Sequence, residues 1–160
     1  METLKDLMAR LGYEFRDAGL LKKALTHSSY ANEGRQGLQS NERLEFLGDS
    51  VLGLVAANYL FRRETGPEGE LTKLRAAIVC EKALCSYARE LRLGECLLLG
   101  KGERSTGGAE RPSILADAFE AVTAAMYLDG SWFGVPADDT AQAKVTQKDI
   151  QLVPFPSYTD

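Results

Sequence analysis

Histidine and cysteine are scarce in this sequence, and so is any excess of positive charge. One histidine and three cysteines occur in 160 residues. Structural zinc sites draw most of their ligands from those two residue types. The cysteines (Cys80, Cys85 and Cys96) are odd in number and form no Cys-x-x-Cys pair. Neither a disulfide framework nor a thiol-bound metal is therefore expected; reduced thiols in a cytosolic protein are. No apolar run approaches the length that spans a bilayer, so no membrane contact is expected. The N-terminal Met1-Glu2-Thr3-Leu4-Lys5-Asp6 lacks a basic segment leading into an apolar one, so no signal peptide is expected either. The net charge is −4 and the pI about 5.2. Alone, that argues against a protein that wraps nucleic acid by charge.

What is present is a core-forming composition, 44% hydrophobic, with the periodicity of helices. Residues 2–11 read as an amphipathic helix, with Gly12 after its end. Asp17 is placed to cap a second helix over 18–26, with Leu20, Leu21, Ala24 and Leu25 inward. The stretch 27–33 is polar and short and precedes a glycine-containing loop over 34–39. His27 could be a general base or a ligand. No nucleophile or second histidine accompanies it, so it reads instead as a histidine that hydrogen-bonds the loop beside the acidic helix. Ser40 is a suitable cap for a long helix that ends near Arg62-Arg63-Glu64. Pro67-Glu68-Gly69-Glu70 reads as a loop. A helix follows from Leu71, with Leu74, Ile78 and Val79 inward, and another over 81–92. Residues 94–99 read as an apolar turn. The glycine-rich segment 100–108 is either a mobile connector or a basic loop near phosphate; its residue order is not a phosphate-binding Walker motif. A last helix starts beside Pro112 and runs to about Leu128. Beyond it the composition shifts: three of the five prolines (Pro136, Pro154 and Pro156) lie in 131–160. An irregular tail is expected there, behind a single all-α domain over 1–130.

Two helices carry acids where core helices normally do not. Glu42, Glu45 and Asp49 stand at i, i+3 and i+7, on one face of the long helix. Asp117 and Glu120 stand at i, i+3 on the last one, which is otherwise rich in Ala, Leu, Phe and Val. Carboxylates are rarely buried unless paired or bound to a cation. Packed face to face, the two helices would make an all-oxygen site suited to Mg²⁺ or Mn²⁺. Setting aside Glu42, Glu45, Asp49, Glu68, Asp117 and Glu120 turns the charge balance positive, so a nucleic-acid substrate is not excluded, only weakly held. Gly48 and Gly53 weaken the long helix and fit a close approach by another helix or a second subunit. The same acid pairs allow two other readings: solvated helix faces, or an all-α nucleotide pyrophosphohydrolase. The latter uses ExxE and ExxD pairs, whereas the second pair here is DxxE and lies far down the chain. A ferritin-like di-iron site would need an ExxH, which is absent.

The segment Asn41-Glu42-Arg43-Leu44-Glu45-Phe46-Leu47-Gly48-Asp49 resembles the signature of the ribonuclease III family. The resemblance extends, in the family's order, to Leu11-Gly12-Tyr13-Glu14-Phe15, to 24–33, to Glu70-Leu71-Thr72-Lys73-Leu74-Arg75-Ala76 and to 113–121, covering roughly residues 4 to 130. It implies the all-α endonuclease-domain fold of that family. It also implies a homodimer that cuts double-stranded RNA with Mg²⁺, for which Mn²⁺ can substitute, leaving 5′-phosphate and 3′-hydroxyl ends in rRNA and mRNA maturation. Glu45, Asp49, Asp117 and Glu120 match the family's metal-site acids, with Asp49 and Glu120 in the catalytic role. Glu42 and Glu68 match acids on the substrate or interface side, and Asn41 and Arg43 are expected to order the site or the dimer. The pattern departs after Asp129-Gly130, where Ser131-Trp132-Phe133 replaces the family's continuation, and no C-terminal double-stranded-RNA-binding domain is recognisable. Reduced RNA affinity is the expected consequence. A non-cutting RNA-binding or ribosome-associated relative is the alternative, although such a relative is expected to have lost some of these acids.

Overall fold

The computed structural model describes residues 4–34 and 37–130, so the expected tail lies outside the described residues. Within them the fold is all-α. The helices are α1 (Leu4–Leu11), α2 (Ala18–Ala24), α3 (Ser28–Glu33), α4 (Glu42–Arg63), α5 (Glu68–Ile78), α6 (Glu81–Glu90), α7 (Leu93–Cys96), α8 (Lys101–Ser105) and α9 (Pro112–Asp129), with a 3₁₀ turn at Gly108–Glu110. No strand forms among the described residues; one parallel bridge joins Thr26 and Leu98.

The last helix is the centre of the molecule. Along α9, Ala118, Ala121, Ala124 and Ala125 are wholly buried, and Leu115, Phe119, Val122 and Met126 nearly so. A helix apolar on nearly every side must be enclosed. Here α4 encloses it most extensively, with α6 and α2 on its other flanks. The alanines let the neighbours come near. At one point only glycine suffices: a Cβ on Gly48 of α4 would overlap the Glu120 carbonyl of α9. This is the close helix approach expected for Gly48. Gly53 has nothing within 4 Å of the same hypothetical atom.

Several local expectations hold. Gly12 ends α1 at φ +64°, and Asp17 caps α2 by accepting from the Gly19 amide at 2.8 Å. Pro112 is the first residue of α9, where its missing N–H is harmless. The end of α9 is tied to the turn between α1 and α2. Asp129 accepts from the Tyr13 hydroxyl (2.8 Å), the Arg16 amide (2.9 Å) and the Asp17 amide (2.7 Å). The Arg16 guanidinium donates to the Asp129 carbonyl. Burial pushes the Asp129 carboxyl up, but these donors outweigh it and hold it below its usual range. Burial and the same hydrogen bond raise the Tyr13 hydroxyl to about 12.

Other expectations are corrected. Residues 28–33, for which no element was expected, form α3, with His27 as its cap. Glu68 opens α5 rather than lying in a loop, with Pro67 as the residue before the helix. Residues 94–99 include most of the short helix α7. The glycine-rich segment is ordered rather than a mobile connector. It winds into α8 and the 3₁₀ turn, the Arg104 side chain donates to the Leu97 carbonyl, and Arg111 pairs with Glu103. Ser40 does not cap α4. Asn41 takes that position, and its buried side chain donates to the Ala24 carbonyl instead. Leu74 does not point inward; it is 42% exposed on α5, none of whose residues is buried. Finally, α4 is long and apolar enough to cross a membrane by length and composition, which the sequence reading did not anticipate. Its acids and its packing along α9 fit a core helix.

The contact at Gly48 yields a contrast. Gly48→Ala should destabilise the protein by about 3 kcal/mol, the upper end of ordinary overpacking, because backbone must move. Gly53→Ala should stay within about 1 kcal/mol of the parent, since helix propensity is all that changes. Urea unfolding of both variants measures the difference.

Candidate metal centre

Helix α4 presents Glu42, Glu45 and Asp49 from its first two turns, and α9 presents Asp117 and Glu120 from its first three. The crossing at Gly48 brings these stretches together. One carboxylate oxygen each from Glu45, Asp117 and Glu120 lies within 4.8 Å of the other two. All three side chains are half-buried. No Lys or Arg forms an ion pair with them among the described residues.

The electrostatics follow from that geometry. Burial, with the charges of Asp49, Asp117 and Glu45 behind it, pushes the Glu120 carboxyl up to about 7. Burial raises Glu45 as well, helped by Asp117 and Glu42. Burial also raises Asp117; Glu81 adds to the shift and His27 opposes it. Like charges this close disfavour full ionisation. The helix interior supplies no compensating cation, so a bound one would relieve the repulsion. A hard divalent ion matches three carboxylate oxygens, and the donor set suits neither zinc nor copper.

Of the acids singled out in the sequence, the structure therefore gathers Glu45, Asp117 and Glu120. Exposed Asp49 adjoins them through its field on Glu120, and exposed Glu42 through its field on Glu45. Ser40 donates to Glu42 at 2.6 Å, which holds that carboxylate at the mouth of α4. Glu68 stands apart, in the first turn of α5, where Thr72 donates to it at 2.7 Å. Two neighbours of the cluster were not legible as such. Glu81 opens α6 beside Asp117, and nothing in its spacing from the two acidic stripes announces it. His27 was noticed, but its closeness to Asp117 depends on how the chain folds back.

Comparison with known proteins places this arrangement. Residues 17–146 match the family model described as Ribonuclease-III-like. The chain is 60% identical over 130 residues to a Ribonuclease 3 of Pelotomaculum thermopropionicum, covering 80% of this chain and 54% of that protein. It is 59% identical over 128 residues to a Ribonuclease 3 of Oceanobacillus iheyensis, covering 79% and 56% respectively. The chain thus spans about half the length of the curated relatives it matches. Among solved structures it is similar to a nuclease domain of ribonuclease III from Campylobacter jejuni, described as showing structural flexibility in a region involved in dimer formation. The TM-score is 0.74 and the identity 46%, over 79% of this chain and 86% of that one.

The raised Glu120 carboxyl sets a pH dependence. Its folded value of about 7 exceeds the ordinary 4.5, so across that window the folded state holds more protons than the unfolded state. Stability of the metal-free protein should then fall as pH rises from about 4.5 to about 7. Asp129 acts oppositely, but only below its ordinary value of 3.8, outside this window. Glu120→Gln should flatten the profile and raise the Tm at neutral pH by a few degrees, measured by thermal unfolding in chelator across the pH range.

Proposed function

The chain belongs to the ribonuclease-III-like family, and on that footing we propose that it is a Mg²⁺-dependent endoribonuclease that cuts double-stranded RNA. The products are a 5′-phosphate and a 3′-hydroxyl, and the role is maturation of rRNA or mRNA in the cytoplasm. The observation that carries this reading is the cluster of Glu45, Asp117 and Glu120, three unneutralised carboxylates set at the crossing of α4 and α9.

Glu45, Asp49, Asp117 and Glu120 would hold the metal, with Asp49 and Glu120 in the catalytic role. When bound, Mg²⁺ supplies activation of water for in-line attack on phosphorus and stabilisation of the departing 3′-oxygen. Burial and the neighbouring acids push the Glu120 carboxyl up to about 7, and a bound divalent ion would favour its charged form. The remaining residues orient. Gly48 lets the α9 backbone close on α4, and Asn41 ties the head of α4 to the end of α2. Glu42 and Glu68 lie toward the substrate or the second subunit. A-form RNA would be met mainly through phosphates, 2′-hydroxyls and groove shape.

A homodimer belongs to the same proposal. Phe46 is 79% exposed, Phe61 78% and Leu54 51%, and at the helical repeat they share one side of α4. Leu74 on α5 is also exposed, at 42%. Large apolar side chains grouped on one exposed helix side mark association surfaces. Gly53, with open space around it, lies within the same stripe and fits the close approach of a second chain.

The first test is cleavage of a long RNA duplex at low salt, where phosphate contacts are strongest. Cutting should require Mg²⁺ and fall by about a thousandfold or more in Asp49→Asn/Glu120→Gln, since several kcal/mol of charge stabilisation is removed. Duplex binding without any cutting would favour the non-cutting relative. Phe61→Glu should convert the dimer to monomer in light scattering while the helical circular dichroism persists; a monomeric parent chain would refute the dimer.

A further inference from the structure

Helix α2 is joined at its two ends to the two helices that carry the acids. At its start, the Asp17 amide donates to Asp129 Oδ1 of α9 at 2.7 Å. Asp129 Oδ2 accepts there from the Arg16 amide at 2.9 Å and from the Tyr13 hydroxyl at 2.8 Å. At its end, the Ala24 carbonyl accepts from the Asn41 side chain at 3.1 Å, and the Thr26 carbonyl from the Asn41 amide at 2.8 Å. Asn41 is the residue before α4, and its own carbonyl accepts from the Glu45 amide at 2.9 Å. A line of directed bonds therefore runs from one acid-bearing helix through α2 to the other. Ala24, Thr26, Asn41 and Asp129 are all buried, so water weakens these bonds little.

Apolar burial is non-directional. It draws α4 and α9 together without fixing how either is turned. The Gly48 contact sets how near the helices come, but not the rotation of α9 about its own axis. Asp129 sets that rotation, because both of its oxygens are engaged by donors from a single turn. It stands nine residues from Glu120, roughly two and a half turns and about 13 Å along a stiff helix. The direction in which Glu120 points is thus inherited from Asp129. At the other joint, Asn41 fixes the first turn of α4, in which Glu45 lies. The clustered carboxylates repel one another, so without ties elsewhere their spacing would relax outward.

We propose that α2 is a strut that sets the spacing of the metal-binding carboxylates, and that Asn41 and Asp129, at its two joints, are positioning residues for the divalent ion. This inference rests on the metal-centre reading above. Mg²⁺ demands near-ideal octahedral geometry at short distances, whereas Ca²⁺ accepts longer and more varied ones. Loosening the strut therefore costs Mg²⁺ binding more than Ca²⁺ binding.

The test is calorimetric titration of the full chain, free of RNA, with Mg²⁺ and with Ca²⁺, at a temperature where circular dichroism shows each variant folded. Asn41→Ala removes the side-chain bond at one joint, and Asp129→Asn weakens the other. Each should bind Mg²⁺ about tenfold more weakly, the range for groups that orient metal ligands, and lose less affinity for Ca²⁺. Tyr13→Phe removes one donor at the Asp129 joint and leaves both amides. It should give a smaller loss in the same direction even if Asp129→Asn does not fold. Asn41→Ala/Tyr13→Phe should bind Mg²⁺ little more weakly than Asn41→Ala alone, because a strut loosened at one end transmits little from the other. Independent effects at such distant sites would multiply instead. Parent-like Mg²⁺ affinity in folded Asn41→Ala and Tyr13→Phe, or losses that multiply in the double variant, would overturn the strut. A parent chain that binds neither ion would overturn the metal-centre reading itself, and the strut with it.

Discussion

The passage of α4 across α9 at Gly48 is the contact on which the rest depends. Backbone meets backbone there, because the Gly48 position has no room for even a methyl group beside the Glu120 carbonyl. The contact lies within one turn of Glu45 and Asp49 on one helix and at Glu120 on the other. Apolar burial along both helices supplies the attraction: Leu44, Val51, Leu52 and Val55 of α4 and Ile114, Leu115, Phe119 and Val122 of α9 are all buried in the one core. The carboxylates are carried into one another's fields by that packing and oppose it. The site is thus stabilised from behind and destabilised at its face, which is the usual sign of residues kept for chemistry rather than for folding.

Much of this was legible in the sequence. The acid spacings on α4 and α9 put Glu45, Asp117 and Glu120 where they could stand together, as they do, because helical periodicity fixes which side chains share a face. The caps at Gly12 and Asp17 were legible because each is a local bargain between a side chain and its nearest backbone. Short helices were not. The stretch 28–33 was assigned no element and the glycine-rich segment was read as a loop, since neither has an apolar face. Each is ordered by partners far away in the chain: Ser29 accepts from Gly100, and Glu33 from the Lys101 amide at 2.9 Å. Ser40 failed as a cap for a related reason. Asn41 is drawn to the Ala24 carbonyl by the tertiary fold, and the helix starts where Asn41 is anchored. Leu74 failed because periodicity identifies an apolar face but not what covers it.

Asp129 shows the same limit from the other side. As a residue before glycine at a helix end it looked like punctuation. In the fold it gathers three donors from the turn between α1 and α2 and stays charged although buried. Such a carboxylate is satisfied by its hydrogen bonds and the Arg16 charge, whereas those at the α4–α9 crossing form no ion pair among the described residues. That contrast distinguishes an acid that ties the structure together from acids whose charge is left uncompensated.

The central position of α9 bears on the order in which the molecule can be made. It is the last of the described helices to leave the ribosome, yet α2, α4 and α6 all bury their apolar faces against it. Until it emerges, the earlier helices have no common surface to close on, and α4 must wait with its long apolar side uncovered. The nascent chain therefore acquires its core and its acidic crossing in one late event, and a chain interrupted before α9 would have neither.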